Sequence, residues 1–516
     1  MTDTITIEVD GQKLEAKPGQ MLIEVTDAAG ISVPRFCYHD KLSIAANCRM
    51  CLVDVDKVPK PLPACATPCN DGMVVRTKSP KALAAQKGTM EFLLINHPLD
   101  CPICDQGGEC ELQDVAMGYG GDVSRFSEGK RVVPDPDLGS LIATDMTRCI
   151  HCTRCVRFGA EIAGVREMGA TGRGEHMKIG TYVQSTVDSE LSGNVIDICP
   201  VGALTSKPAR FQARAWELTQ YDGIAPHDCV GSNIHFHVRR NEVMRVVPKQ
   251  NESVNECWIS DRDRFSYQGL LSDDRLDQPM IRENGKWRNA EWDEALEAAS
   301  NMLKSGGKGL STLVSPMATL EEMYLAQKLT RALGSNNVDH RLRQTDFRND
   351  AADPLQPWLG QNFTELETNK ATLLVGSNIR KDQPLLGHRL RKSVLDGGEV
   401  MTINPVEYDF NYPVSSEIVV SPSGMLGELA AVAKAAGCSS DNLQKVIGSA
   451  EVNDAHKAIA EKLAAADQGV VLLGNFASSH PDFSLLRNVA AELAEKTGVT
   501  FAVIPEKGNS CGAWYA

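Results

Sequence analysis

Long apolar runs are missing from this sequence. Its longest apolar stretches, such as GVVLL at 469–473, have the length of a β-strand, whereas a membrane-spanning helix needs about 18 apolar residues. The start, MTDTITIEVDGQKLEA, alternates apolar and polar residues and lacks the basic start and apolar run of a secretory signal. We therefore expect a protein of the cytosol, or of an equivalent reducing space, that reaches a membrane only through partners.

An excess of basic residues is also missing. Lys and Arg number 53 against 67 Asp and Glu, which gives a formal net charge of -14. Binding to nucleic acid draws on clustered Lys and Arg to replace counterions, so no nucleic-acid partner is expected. At 516 residues, the chain is too long for one hydrophobic core and is expected to form several domains.

Cysteine is plentiful, but it is unevenly distributed. Twelve of the 16 cysteines lie between Cys37 and Cys199, and none lies between Cys257 and Cys438. A reducing compartment keeps thiols from forming disulfides, and inert core thiols would be spread more evenly. The distribution therefore indicates metal ligands in the first 200 residues.

The first candidate set is Cys37, Cys48, Cys51 and Cys65, between strand-like segments at 5–9 and 51–55. The plant-type ferredoxin spacing is C-x4-C-x2-C…C, and here the first gap is ten residues long. A loop of small residues around the ligands lets backbone N–H groups point at the sulfurs. Cys69 could compete as the fourth ligand, although an ordinary free thiol is the better interpretation.

The second candidate set is His97, Cys101, Cys104 and Cys110, in NHPLDCPICDQGGEC. A histidine in a loop is usually solvated or bonded to backbone. Here the cysteines alone would leave a four-ligand site one ligand short. Zinc accepts three cysteines and one histidine as readily as a cluster does, so the neighbouring sets, and not this motif alone, favour iron and sulfur.

The third candidate set is Cys149, Cys152 and Cys155, in RCIHCTRCVRF, with Cys199 in DICPVGAL. C-x2-C-x2-C with a later Cys-Pro is the bacterial ferredoxin signature of a [4Fe–4S] cluster. His151 is interpreted as a neighbour of the site or an exposed residue. Adjacent sets of different kinds suit a protein that passes electrons in steps, with each potential tuned by its ligands.

The order of C-x10-C-x2-C-x13-C, H-x3-C-x2-C-x5-C and C-x2-C-x2-C-x43-C-P resembles the largest iron–sulfur subunit of respiratory NADH:quinone oxidoreductase (complex I). The likeness continues through CVGSNI from Cys229, NECWISD at 255–261 and VDHRLRQTD at 338–346. The resemblance implies one [2Fe–2S] cluster in the first set and a [4Fe–4S] cluster in each of the others, with His97 as a ligand. It also implies that the chain has no catalytic residue and no nucleotide, flavin or quinone site of its own.

The resemblance implies a multidomain α+β and α/β fold, with ferredoxin-like cluster domains before a degenerate molybdopterin-oxidoreductase-like α/β domain. The expected segments are a [2Fe–2S] ferredoxin-like domain (1–80), a [4Fe–4S] segment with one histidine and three cysteines (81–120), a [4Fe–4S] ferredoxin-like domain (121–217), a degenerate 4Fe–4S Mo/W-type domain (218–275) and a molybdopterin-oxidoreductase-like domain (276–516). Family members continue further, so the last domain is expected to be incomplete.

The resemblance also implies partners. Electrons would arrive from the flavin- and NADH-binding subunit, with a small [2Fe–2S] subunit nearby. They would leave toward a two-cluster ferredoxin-like subunit and the quinone module. Such a protein would lie at the cytoplasmic face of the bacterial inner membrane, which corresponds to the matrix side in mitochondria.

Some bacterial members of the family carry a fourth tetranuclear cluster after the third set. Here that region offers only Cys229 and Cys257, and Ser232 stands where a thiolate would be expected. Two thiols cannot hold a [4Fe–4S] cluster in the usual way, which takes four cysteines. We therefore expect this cluster to be absent, as in mitochondrial-type members.

The back half alternates strand-like runs with amphipathic helices, which predicts a parallel α/β layer structure. Strands are expected at 235–239, 242–247, 310–314, 371–375, 469–473 and 500–504, and helices from Trp292 and after Thr319. The small residues after 375 and 473 are too few for a dinucleotide fingerprint. Molybdenum enzymes of this fold supply a Cys, selenocysteine or Ser ligand, and no Cys occurs from 258 to 437, so no molybdopterin is expected.

Two other classes of protein remain as alternatives. A relay subunit of a soluble hydrogenase or formate dehydrogenase can share the front half, but it would need further Cys motifs or a molybdenum ligand. A zinc-binding scaffold would use the same thiols without redox chemistry.

Overall fold

The computed structural model describes residues 4–183, 185–341, 343, 345–351 and 357–516. Residues 1–3 of the alternating start, and residues 342 and 344 of the segment 338–346, lie outside the described residues. The chain divides into two compact units. Unit 1 is Met1–Gln220 with His237–Arg245, and unit 2 is Tyr221–Phe236 with Val246–Ala516.

Unit 1 begins with a five-stranded sheet of order β2-β1-β5-β3-β4. Its elements are β1 (Ile5–Val9), β2 (Gln12–Ala16), α1 (Leu22–Ala28), β3 (Leu52–Val55), β4 (Leu62–Pro63) and β5 (Val74–Arg76). Strand β1 pairs antiparallel with β2 and parallel with β5. The alternation that predicted β1 buries Ile7 and Val9 in one core with Leu22 and Val53, because alternate side chains of a strand face the same side.

The remainder of unit 1 consists of short elements joined by long loops. They are α2 (Pro80–Leu94), α3 (Glu111–Tyr119), β6 (Ile142–Thr144), α4 (Arg154–Phe158), β7 (Met168–Thr171), β8 (Lys178–Thr181), α5 (Asn194–Ile198) and β9 (Leu204–Ser206). Strands β6 and β9 pair antiparallel, as do β7 and β8. These small antiparallel pairs come before, between and after the loops that carry the third cysteine set.

The middle of the chain is also built of short strands and helices. It contains β10 (Thr219–Ile224), β11 (Asn233–Arg239), β12 (Glu242–Pro248), α6 (Asp261–Phe265), β13 (Met280–Glu283), β14 (Lys286–Asn289), α7 (Trp292–Gly306), β15 (Ser311–Leu313), α8 (Leu320–Ala332) and β16 (Asn337–Asp339). Helix α7 begins at Trp292 as predicted, but Leu296 and Met302 of its apolar stripe are 60% and 73% exposed. Helix α8 begins after Thr319, whose Oγ1 accepts from Glu322 N–H at 3.2 Å.

A five-stranded parallel sheet of order β19-β18-β17-β20-β21 organises the end of unit 2. Its elements are β17 (Ala371–Val375), α9 (Ile379–Asp382), α10 (Pro384–Leu395), β18 (Glu399–Asn404), β19 (Ser416–Val419), α11 (Met425–Ala435), α12 (Gln444–Ser449), α13 (Asp454–Ala465), β20 (Gly469–Leu473), α14 (Asn475–Ser478), α15 (Phe483–Thr497), β21 (Thr500–Val503) and α16 (Ser510–Tyr515). Every residue of β17 and β20 is buried, as expected for parallel strands covered on both faces. The predicted α/β layer structure is therefore confirmed.

The strand order reverses between β17 and β20. Such a reversal is the topological switch point at which open α/β sheets generally bind their ligands.

Across the described ranges, no helix combines the length and the apolar character needed to cross a membrane.

We expect Leu373→Ala to lower the free energy of unfolding of unit 2 by about 2–5 kcal/mol, because it leaves a cavity in the central strand β17. Leu373 is 0% exposed, whereas Leu395, at the end of α10, is 64% exposed. Leu395→Ala is the matched control and should change stability little. Urea unfolding followed by circular dichroism measures both, and equal effects would contradict the assignment of β17 to the core.

Candidate metal centres

The first predicted set lies on loops of the amino-terminal sheet. Cys37 follows α1, Cys48 and Cys51 precede β3, and Cys65 follows β4. All four thiols are buried. Side-chain hydrogen bonds join Cys37 to Cys48 and to Cys65, and Cys51 to Cys65. The structure thus brings the four sulfurs of this set together.

Backbone N–H groups also point at these sulfurs. Cys37 N–H donates to Cys48 Sγ at 3.4 Å, and the backbone of Met50 bonds the same sulfur. Arg49, between the two cysteines, has a φ of 59°. A left-handed residue in a loop turns successive N–H groups toward one point, which favours negative charge there. The hydrogen bond from Cys48 is the largest cause that lowers the pKa of Cys37.

Cys69, the competing thiol of this region, packs in the core of the same domain. Its N–H donates to Gln20 O at 2.8 Å. Burial raises the pKa of Cys69. These contacts suit an ordinary core thiol.

The second predicted set lies between α2 and α3. Cys110 is the residue before α3, and Cys104 N–H donates to Asp100 O at 2.8 Å in the turn that carries Cys101. Cys104 is buried, Cys110 is half-buried and Cys101 is exposed. Burial raises the pKa of Cys110 to about 11.

The surroundings of His97 favour the neutral form of its ring, which is the form that binds a metal. Burial, with Lys130 and Arg148 nearby, lowers the pKa of His97 to about 4, so its ring is neutral at pH 7. The ring hydrogen-bonds to the backbone of Arg148. Its Nδ1 is buried and has no hydrogen-bond partner among the described residues. A metal-binding histidine usually bonds one ring nitrogen to such an oriented group and leaves the other free for the metal.

The loop after Cys199 reaches the second set at Gly202. A Cβ atom built on Gly202 would lie 2.1 Å from Cys104 Sγ. A free thiol could rotate away from such a contact, whereas a sulfur held by a metal could not. The close approach therefore suits a fixed Cys104 sulfur, and it places the second and third sets side by side.

The third predicted set surrounds one small cavity. Cys149, Cys152, Cys155 and Cys199 all line it. The other walls are mainly the apolar side chains of Ile150, Ile179, Val201 and Leu204. The structure thus brings this set together around an enclosed space.

Backbone geometry at the third set repeats that of the first. His151 and Thr153, on either side of Cys152, have φ values of 54° and 60°. His151 N–H donates to Cys149 Sγ at 3.4 Å, and the backbone of Val201 bonds Cys199. His151 Nε2 lies 3.0 Å from Met177 O, in keeping with a neighbour of the site.

The third-set thiols resist ionisation on their own. Burial raises the pKa of Cys149 to about 11 and the pKa of Cys152 and of Cys199 to about 12. Metal ligation requires the thiolate form. Metal binding at this set would therefore release protons at neutral pH.

The residues fit cluster binding at each set: converging sulfurs in the first, an unpartnered buried histidine nitrogen in the second, and a cysteine-lined cavity in the third. Over the described ranges, no group of three or more His, Cys, Asp or Glu side chains is arranged to hold a single ion. Zinc accepts similar Cys and His ligands, so the kind of metal stays a prediction.

Cys229 and Cys257, in the region of the fourth cluster, lie on neighbouring loops of unit 2. The side chain of Asn255 joins the loops, since its Oδ1 accepts from Asn233 N–H at 3.0 Å. Burial raises the pKa of Cys229 well above its usual value. Ser232 Oγ is buried without a hydrogen-bond partner in the described part of the chain.

Sequence reasoning did not identify Arg148, Arg154 or Arg157, although all three lie in or beside the third-set motif. Arg148 and Arg154 are only 4% and 5% exposed. Arginine is rarely buried unless it is paired. The sequence pattern that could have indicated these arginines is their alternation with the ligand cysteines in RCIHCTRCVRF.

Five family models match successive parts of the chain. They are the 2Fe-2S iron-sulfur cluster binding domain (residues 2–80), the NADH-ubiquinone oxidoreductase-G iron-sulfur binding region (86–125), the NADH-quinone oxidoreductase subunit 3 ferredoxin-like domain (139–205), the NADH-ubiquinone oxidoreductase NDSU1/NuoG-like 4Fe-4S domain (218–268) and the molybdopterin oxidoreductase (275–508).

Similar proteins carry related names. The G-type subunit of NADH-quinone oxidoreductase from Rickettsia bellii is 48% identical over 394 residues, which are 76% of this chain and 57% of that protein. The NADH-ubiquinone oxidoreductase 75 kDa subunit of Reclinomonas americana is 45% identical, over 78% of this chain and 60% of that protein. The mitochondrial 78 kDa subunit of Neurospora crassa is 47% identical, over 76% and 53%. The chain therefore spans little more than half the length of these relatives.

Among solved structures, a chain of an NAD+-reducing [NiFe]-hydrogenase matches with 28% identity and a TM-score of 0.38, over 40% of this chain and 90% of that one.

The chain is thus a multidomain protein in which 2Fe–2S and 4Fe–4S domains of ferredoxin-like type precede a molybdopterin-oxidoreductase-like domain. It belongs to the family formed by the G-type subunits of NADH-quinone oxidoreductase and the mitochondrial 75–78 kDa subunits. The resemblance inferred from the cysteine motifs is therefore confirmed.

We expect His97→Cys to lower the midpoint potential of the second cluster, because a thiolate adds negative charge and stabilises the oxidised form. His97→Ala should reduce assembly of that cluster. Potentiometric EPR measures both effects. His176→Ala is the control, since the His176 side chain is 86% exposed. A fully occupied cluster with an unchanged potential in His97→Cys would exclude His97 as its ligand.

Proposed function

We propose that this chain is an electron-transfer subunit of the peripheral arm of NADH:quinone oxidoreductase (complex I). It would relay electrons from the flavin subunit toward the quinone-reducing subunits. Cys37, Cys48, Cys51 and Cys65 would hold one [2Fe–2S] cluster. Two [4Fe–4S] clusters would be held by His97, Cys101, Cys104 and Cys110, and by Cys149, Cys152, Cys155 and Cys199.

The observation that carries this proposal is the contact between the three sets inside unit 1. A Cβ atom built on Gly202, in the loop of the third set, would lie 2.1 Å from Cys104 Sγ of the second. Arg157 donates to Cys37 O of the first set and, at 3.2 Å, to Cys152 O of the third. Iron–sulfur clusters accept and donate single electrons. The chain's residues bury most of the proposed ligands, orient them and keep the sets adjacent, as a stepwise relay needs.

Unit 2 is proposed to be a scaffold without molybdopterin. At the switch point, Gly376 O accepts from Phe476 N–H at 3.0 Å and from Ala477 N–H at 3.2 Å. These N–H groups begin α14, and such groups would otherwise be available to a phosphate. A Cβ atom on Gly376, whose φ is 57°, would lie 2.6 Å from Ala477 N. The chain's own backbone thus occupies these two N–H groups, while a cavity lined by Asn475, Ser478 and Ile504 lies beside them.

The proposed partners follow from the family. They are the flavin- and NADH-binding subunit, the small [2Fe–2S] subunit, the downstream two-cluster ferredoxin-like subunit and the quinone-module subunits. The proposed location is the cytoplasmic face of the bacterial inner membrane, as a peripheral subunit.

Metal analysis and EPR of the purified full chain test the proposal. We expect about ten iron atoms per chain, from one [2Fe–2S] and two [4Fe–4S] clusters, and no stoichiometric molybdenum, tungsten or zinc. Visible absorption should bleach on reduction. A colourless zinc protein would contradict the relay. A third tetranuclear signal would contradict the absence of a cluster at Cys229 and Cys257, and stoichiometric molybdenum or tungsten would contradict the scaffold role.

A further inference from the structure

Arg154 stands between Cys152 and Cys155 of the third set and makes contacts beside all three sets. Its Nη2 donates to Tyr38 O at 2.9 Å, next to Cys37 of the first set. Its Nη1 donates to Ile198 O at 3.2 Å, next to Cys199 of its own set.

The contact of Arg154 with the second set is an ion pair. Its two terminal nitrogens reach the two carboxylate oxygens of Glu111, at 2.7 and 3.1 Å. Glu111 directly follows Cys110 and begins α3. One guanidinium therefore binds a neighbour of a predicted ligand in every set.

Two further arginines make narrower connections from the same segment. Arg148 Nε donates to Asp100, next to Cys101, at 3.0 Å, and Arg148 Nη1 donates to Gly202 O at 3.3 Å. These contacts join the second and third sets, and Arg157 joins the first and third. Arg154 differs from both because it reaches all three.

The chemistry of arginine suits this role. A guanidinium presents five N–H donors in a rigid, planar fork, whereas a lysine ammonium is a compact point charge on a flexible stem. At 5% exposure, Arg154 is shielded from water that could replace its contacts. The Glu111 side chain is 44% exposed, so the guanidinium is the buried partner of this ion pair.

We propose that Arg154 is a positioning residue that fixes the distances between the three clusters. The proposal rests on the proposed function, since it requires clusters at the three sets. Arg154 holds the carbonyls of Tyr38 and Ile198 and the carboxylate of Glu111 around one rigid cation. Because one segment from each set meets at this cation, the spacing between the clusters depends on it.

The same residue also has an electrostatic effect. Loss of its charge leaves the Glu111 carboxylate uncompensated, and negative charge near a cluster stabilises the oxidised form. The midpoint potentials of neighbouring clusters should then fall. The charge effect and the positioning effect must be separated, because a charge alone could change potentials without holding any distance.

The test compares variants of the full chain by potentiometric EPR and by the dipolar coupling between the reduced first and third clusters, which reports their separation. Arg154→Gln removes the charge and the fork. Arg154→Lys keeps the charge alone, and Arg154→Gln with Glu111→Gln restores the charge balance without the fork. Arg389→Gln is the control, since Arg389 is another buried arginine, 4% exposed, paired with Glu256 at 3.1 Å inside unit 2.

In Arg154→Gln, we expect the oxidised-to-reduced ratio of the neighbouring clusters, measured at a fixed potential, to rise about tenfold. For one electron this is a fall of 59 mV in the midpoint potential. It should return toward the unaltered value in Arg154→Lys and in the double variant. The dipolar coupling should change in all three variants of Arg154 and stay unchanged in Arg389→Gln.

An unchanged dipolar coupling in Arg154→Lys and in the double variant, with clusters fully occupied, would overturn the proposal and leave Arg154 an electrostatic role only. If Arg154→Gln fails to fold, the dipolar couplings of Arg154→Lys and of the double variant still test the proposal by the same criterion. Absence of cluster signals from the unaltered protein would instead overturn the proposed function.

Discussion

Negative charge must be held on sulfur in a part of unit 1 from which water is largely excluded. Ionised thiolates are costly to bury unless other groups compensate them. The chain supplies compensation from nearby in sequence, through N–H groups such as those of Cys37 and His151. Left-handed residues beside the cysteines aim these groups inward. Loops suit this task because regular elements use their N–H groups internally, and Cys155 lies in the first turn of α4, where N–H groups have no partner within the helix.

Local patterns in the sequence predicted local structure well. Strand β1 and the fully buried strands β17 and β20 have the predicted bounds, because period-two alternation and short buried runs are direct consequences of strand geometry. The three ligand sets were also found from spacing, and the structure brings together the sulfurs of the first set and the cysteines of the third. Their assignment as cluster ligands stays a prediction, since geometry alone does not identify the metal.

Other features could not be read from the sequence, because they depend on residues far apart in it. The amphipathic pattern of α7 predicted the helix, but not that Leu296 and Met302 would be exposed. The contact of Arg154 with Tyr38 spans 116 positions. The bonding of Gly376 O to the start of α14 depends on how β17 and β20 end, and the small residues there suggested only turns.

Gly202 has a consequence for how sequence changes would appear in genetic data. By position it belongs to the loop of Cys199, yet a Cβ atom added to it would lie 2.1 Å from the sulfur of Cys104. Any side chain at 202 would press on that sulfur, and only a sulfur bound to a metal could not turn aside. A missense change at Gly202 would therefore be assigned to the third set by its position in the sequence, although its effect would appear at the second set.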